Sequence, residues 1–177
     1  MNLIFRCYHC GKKNIVDKFC EENDFMPLSS HPYDNYWAGP GMYLWDNLSN
    51  AKWWYDGKSD KVNRKICKCM LHIDEEKLLD ITDYSIAESM QQLIGLLENS
   101  EQIKATDEIG IKVSFIAERF GLQVVKLFGN YPKAKQSEFF NNPNRNKPHA
   151  AINSRVIYCV KQGNHNLLKN REIENGD

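Results

Sequence analysis

Residues 39–45 read Gly39-Pro40-Gly41-Met42-Tyr43-Leu44-Trp45. Two glycines flanking a proline make a turn, and the run Met42 to Trp45 that follows makes a short strand. A helix comes next. Asp46 or Asn47 offers the short acceptor side chain that satisfies free N–H groups in a first helical turn; the helix runs through Tyr55, and Gly57 ends it. Ahead of the turn, residues 25–40 hold Pro27, Ser29, Ser30, Pro32, Asp34 and Asn35 and read as loop. Further back, residues 2–9 are rich in strand formers, Gly11 opens a polar break, and Ile15, Val16, Phe19 and Cys20 recur at helical spacing.

Downstream, Val62 to Ile73 alternates, so that Cys67, Cys69, Leu71 and Ile73 share one side of a strand while Lys65, Lys68 and His72 lie nearer its other end or face. Ser85 and Glu88 have capping-box spacing before Met90, Leu93, Ile94 and Leu97, and a second apolar helical face on Ile109, Val113, Ile116, Ala117 and Phe120 stops at Gly121. These helices form an insert over about residues 85–121. Then come a strand Gln123 to Leu127, a long loop from about 129 to 152, a strand Ser154 to Val160, a turn near Gly163 and a last strand around Leu167 to Ile173. Strands at both ends of a helical middle imply an α+β domain with a mostly antiparallel sheet rather than a doubly wound one. At 177 residues, one domain over 1–177 is the economical organisation.

Lys plus Arg equals Asp plus Glu, which lacks the basic excess of a dedicated nucleic-acid binder. The distribution is uneven. Acidic residues dominate from Asp74 to Glu108, whereas the region 126–169 carries Lys126, Lys133, Lys135, Arg145, Lys147, Arg155, Lys161 and Lys169. That region is either a solvated face or a site for pyrophosphate or nucleic acid. No apolar run reaches the roughly 18 to 20 residues that span a bilayer, and residues 1–6 do not read as an export signal. The expectation is a cytoplasmic protein that does not engage membranes, with its six cysteines as thiols.

Cys7-Tyr8-His9-Cys10-Gly11 contains a CxxC, half of a zinc ribbon in form. The second half is poorly supplied, since Cys67-Lys68-Cys69 has the spacing of alternate strand positions. No metal is expected, although a zinc-stabilised nucleic-acid module built on Cys7, Cys10 and the basic end is a third functional class.

Tyr8-His9, followed by a glycine turn and a helix, resembles the first motif of the ADP-ribosyltransferase superfamily, in its diphtheria-toxin and poly(ADP-ribose) polymerase branch. Gly39 to Trp45 is similar to that branch's second motif, and Asp46 to Trp54 to the helix after it. The resemblance covers about residues 7–55 and 153–160 and implies a split, mostly antiparallel sheet. It implies NAD as substrate, with Tyr8, His9, Cys10, Gly11, Gly39, Gly41, Tyr43, Trp53 and Trp54 around it. His9 would bond a ribose hydroxyl and the Cys10 backbone would grip the carboxamide. Nicotinamide is a flat cation, so Tyr43 can stack on it, with Trp53 or Trp54 as a second wall and close backbone approach at Gly39 and Gly41.

The family's third motif places an acidic group at the start of a late strand, where it stabilises positive charge at the anomeric carbon. Here the matching residues are Ser154 and Arg155. The catalytic set implied is therefore His9, Tyr43, Ser154 and Arg155. The leading expectation is a bacterial or phage mono-ADP-ribosyltransferase of toxin, defence or effector type, moving ADP-ribose to a protein or nucleic-acid acceptor through region 126–169, with an antitoxin or inhibitor as a further partner. The alternative is an NAD-binding sensor or sponge without chemistry.

Overall fold

The computed structural model describes residues 1–29, 31–130 and 154–174. Strand β1 (Asn2–Lys12) leads into helix α1 (Lys13–Glu21), and β2 (Met42–Trp45) into α2 (Leu48–Asp56). Then follow β3 (Arg64–Asp74), β4 (Leu78–Asp80), α3 (Tyr84–Asn99), α4 (Ile109–Arg119), β5 (Val124–Asn130), β6 (Ser154–Val160) and β7 (Leu168–Glu174). The architecture is α+β. The strands form one sheet in the order β4-β5-β6-β2-β1-β3-β7, antiparallel throughout except for the parallel pair β4 and β5.

Several expectations shift. Gly11 does not break β1, because residues 64–66 of β3 pair with residues 10–12 and carry the ladder on to Lys12. The expected strand start at Val62 moves to Arg64, and β5 runs past Leu127 to Asn130. β4 is too short for periodicity to reveal, and it exists because β5 offers it an edge. Helix α3 starts two residues earlier than the Ser85 box implies: the Asp83 carboxylate accepts from the N–H groups of Ser85 and Ile86. Asn47 caps α2 by accepting from Asn50 N–H at 2.9 Å.

Side-chain alternation sorts the core by sheet face. On one face, under α1, Cys7, Met42, Leu44, Cys67, Cys69 and Leu71 pack with Val16 and Phe19. On the other, α3 and α4 cover Leu79, Val125 and Cys159, while α2 covers Tyr8, Cys10, Trp45 and Ile157. Complete burial of a side chain such as Phe19 or Leu71 contributes about 1.5–3 kcal/mol.

In β7, Asn170 adopts φ 49° and the register with β3 shifts between Lys68 and Met70, which marks a bulge. The extra residue turns Arg171 to the same face as Leu168 and Ile173. From there its guanidinium lies 4.3 Å from the Phe19 ring centroid and donates to the carbonyls of Phe19, Glu22, Asn23, Phe25, His165 and Leu168 at 2.8–3.1 Å. A single side chain thus fixes the end of α1 and the chain that leaves it.

Candidate functional site

The two edges of β1 differ sharply. Eleven residue pairs join it to β3, from Asn2↔Asp74 to Lys12↔Arg64, but a single registered pair, Tyr8↔Trp45, joins it to β2. Past that pair the strands part. In the opening, the His9 imidazole replaces a ladder bond: Nδ1 lies 3.0 Å from the Tyr43 carbonyl oxygen. A carbonyl only accepts, so Nδ1 carries the hydrogen and Nε2 is the acceptor nitrogen of the neutral ring. Burial holds the His9 pKa below its ordinary value, and the nearby Arg64 charge acts in the same direction against the bond to Tyr43. Gly11 makes room for this ring, since a Cβ there would stand 2.8 Å from His9 Nε2 and 3.2 Å from Val16 Cγ2.

His9 and Tyr43 occupy different faces. Cys7, His9 and Gly11 point toward α1, whereas Tyr8, Cys10, Tyr43 and Trp45 point toward α2. The imidazole and the Tyr43 ring therefore meet across the seam only through the Tyr43 carbonyl. The same alternation separates Cys7 from Cys10, which leave β1 in opposite directions and do not converge on one ion. Among the described residues, no group of three or more His, Cys, Asp or Glu is placed to hold a metal.

On the α2 face the aromatic residues collect. Trp37 meets Tyr43 edge-on at 6.4 Å between ring centroids, and Trp45 lies 6.4 Å from Trp53 and 5.8 Å from Trp54. The Tyr43 hydroxyl donates to Gly39 O at 2.6 Å and accepts from Ala38 N–H at 3.3 Å, and burial raises its pKa. Arg155 lies over Trp53 at 4.3 Å, and Lys58 over Trp54 at 3.5 Å. Ser154 begins β6 exposed and, by alternation, on the other face from Arg155.

The turn before β2 is held by the rest of the fold. Gly39 adopts φ 70° against α4, where a Cβ would come within 3.0 Å of Ser114 Cβ and Gly110 O. At Gly41 a Cβ would overlap Cys159 Sγ and stand 2.8 Å from Val160 O. Both glycines thus serve close contacts inside the protein. Lys161 adds to the clamp, donating to Ala38 O, Pro40 O and Ser114 Oγ.

The basic region resolves into separate roles. Lys126 is paired with Asp80 at 2.7 Å and Lys161 clamps the turn, so neither presents a bare charge. Of the basic loop expected from about 129 to 152, Gly129 and Asn130 belong to β5, and the rest, with Lys133, Lys135, Arg145 and Lys147, lies outside the described residues. The structure thus gathers Tyr8, Cys10, Tyr43, Trp53, Trp54 and Arg155 on one face, brings His9 into the seam beside them, and leaves Ser154 apart. Trp37, Trp45 and Lys58 join this site without having been singled out in the sequence. Lys58 lies just past the Gly57 that ends α2, so helical spacing gave no signal for it.

Comparison with protein-family models, with curated proteins and with solved structures gave no match. No described helix is long and apolar enough to cross a membrane.

Proposed function

We propose that this chain is an NAD-consuming mono-ADP-ribosyltransferase whose substrate lies at the opened seam between β1 and β2. One observation carries the reading: the ladder stops at Tyr8↔Trp45, and the gap is bounded by the His9 imidazole and, on the α2 face, by Tyr43 and its neighbouring tryptophans. Neutral His9, with Nδ1–H committed to Tyr43, has Nε2 to accept from a ribose hydroxyl. Tyr43 and Trp53 or Trp54 supply aromatic faces for nicotinamide. In the reaction, the bond from the ribose anomeric carbon to the nicotinamide nitrogen breaks and its electron pair neutralises the ring. The acceptor's lone pair then forms the new bond and the acceptor loses its proton. The acceptor is macromolecular, protein or nucleic acid, and the setting is the cytoplasm of a bacterial or phage-infected cell.

Arg155 shapes this proposal. A cation beside Trp53 opposes positive charge at the anomeric carbon and attracts pyrophosphate. It implies slow cleavage in which substrate phosphate or the acceptor supplies part of the charge stabilisation. The same observation favours a second reading, an NAD-binding sensor or sponge without chemistry. Labelled NAD incubated with the protein and separate pools of protein, RNA and DNA tests both. Nicotinamide release that drops in His9→Ala and in Tyr43→Ala supports the transferase, and wild-type release in both variants removes it. Calorimetric binding of NAD with no nicotinamide released over hours selects the sensor.

A further inference from the structure

Arg155 is one end of a row of cations that continues beyond the seam. It stands 4.3 Å from the Trp53 ring centroid, and Lys58, just past α2, stands 3.5 Å from that of Trp54. The two rings are themselves 6.3 Å apart. A cation held by a ring keeps its net charge, because the ring's quadrupole attracts it without neutralising it. Lys61, Lys65, Lys68 and Lys126 differ, since each pairs with a carboxylate.

From Lys58 the row passes through the loop after α2 to the end of β1. Arg64 binds the Asp60 carboxylate at 2.7 Å and stands directly opposite Lys12 on the β1–β3 ladder. By alternation Lys12 shares the α2 face with Tyr8 and Cys10. Lys12, Lys13, Asn14, Asp60 and Asn63 line a cavity of about 380 Å³. Asp60 is the single carboxylate in that lining, and Arg64 offsets its charge. Among the described residues, no carboxylate lies within ion-pair distance of Lys12, Lys13 or Lys58. What remains is lysine charge and amide N–H groups, the donors that an anion needs.

One phosphate or pyrophosphate satisfies part of such a row, whereas a chain of phosphates satisfies all of it. Charge repeated at every unit is the property of a nucleic-acid backbone. A base stacked and paired in a duplex is out of an enzyme's reach, which selects a single strand. We infer that the acceptor is a single-stranded nucleic acid whose phosphates run from the cavity at Lys12 and Lys13 past Lys58 to Arg155. This path crosses the α2 face beside Cys10 and Trp45, at the seam. Naming the strand as acceptor rests on the transferase reading, but its binding does not.

The test is fluorescence anisotropy of a short mixed-sequence single strand, RNA or DNA, labelled at its 5′ end. It is titrated with the full chain, without NAD, over a series of salt concentrations. Binding should weaken with a log–log slope of about −3, from about −0.7 for each phosphate held by Lys12, Lys13, Lys58 and Arg155. In Lys12→Gln/Lys13→Gln, where both residues are exposed, the slope should fall to about −1.5, and in Lys58→Gln to about −2. Lys104→Gln, an exposed position between α3 and α4, should keep the wild-type slope. A duplex of the same sequence should bind more weakly. No binding, a slope unchanged in the Lys12, Lys13 and Lys58 variants, or equal binding of the duplex overturns the inference. Labelled NAD added to the bound strand separates this site from the transferase reading. Binding as expected with no nicotinamide released removes the transferase and keeps the strand site. Nicotinamide release with label on protein and no strand binding removes the strand site alone.

Discussion

The two edges of β1 are made of the same backbone and do opposite things. Toward β3, eleven pairs run without interruption, and Cys7, Cys67, Cys69 and Leu71 beside them are core. Toward β2, one pair holds and the strand then diverges, with a histidine ring taking the place of the ladder. A peptide group freed from its ladder partner must find another, and the alternatives at this edge are a side chain, water or a ligand. The closed edge therefore supplies the rigidity, and the open edge is the place where the proposed substrate is tested.

The comparison breaks most decisively at the closed edge. On β7, which extends the sheet on that side beyond β3, Arg171 serves six carbonyls, and hydrogen bonds from a charged donor contribute about 1.5–3 kcal/mol each where they are sheltered. Several of those carbonyls reach water once the guanidinium is gone, so Arg171→Ala is expected to cost about 3 kcal/mol by urea unfolding. Arg171→Lys should recover less than half of that, because an ammonium lacks the planar fork. If the closed edge is scaffold only, NAD affinity of the folded variant stays at the wild-type level. A loss under about 1 kcal/mol would show that the bulge, not the arginine, fixes the end of α1.

At the open edge the expected effect is smaller and depends on pH. His9 is held neutral in the fold, with its pKa depressed chiefly by burial, whereas in the unfolded chain it takes up a proton near its ordinary 6.5. The unfolded state then binds more protons, so His9 contributes stability that is present above pH 6.5 and lost as pH falls through that value toward the folded pKa. Urea unfolding of wild type at pH 7.5 and pH 5.5, set beside His9→Gln, isolates the term. The variant should lose about 1 kcal/mol at the higher pH, for the bond to Tyr43, and show a shallower fall at the lower one. Parallel curves for the two proteins would place the His9 ring in water rather than in the seam.

Local chemistry made the closed parts legible. The strand Met42–Trp45, the Asn47 cap and the inward row of Cys67, Cys69, Leu71 and Ile73 follow from turn residues and alternation that lie within a few positions of one another. The residues around the seam were legible as types: His9, Tyr43, Trp53 and Trp54 were named from the sequence. What local pattern does not contain is where β1 leaves β2, because that depends on β6 pairing with the full length of β2 and on β3 drawing β1 away. The roles of Gly39 and Gly41 were hidden for the same reason, since Ser114 and Cys159, the atoms that exclude a Cβ, are far along the chain. The bulge at Asn170 lies in a short polar stretch with no periodic signal to interrupt.

The finest distinction separates two roles of one residue. Tyr43 ties the turn through its hydroxyl, to Gly39 O and Ala38 N–H, and presents its ring toward the α2 face. Tyr43→Phe removes the tie and keeps the ring, so stability should fall by about 1 kcal/mol while a stacked nicotinamide loses little. Tyr43→Ala removes both, and NAD affinity should then fall by about tenfold, the equivalent of about 1.4 kcal/mol. Calorimetric titration of NAD into the two variants reads the difference. Equal losses in Phe and Ala would mean that the turn's position, set by the hydroxyl, matters and the aromatic face does not. A loss in Ala alone assigns the ring to the ligand and the hydroxyl to the fold.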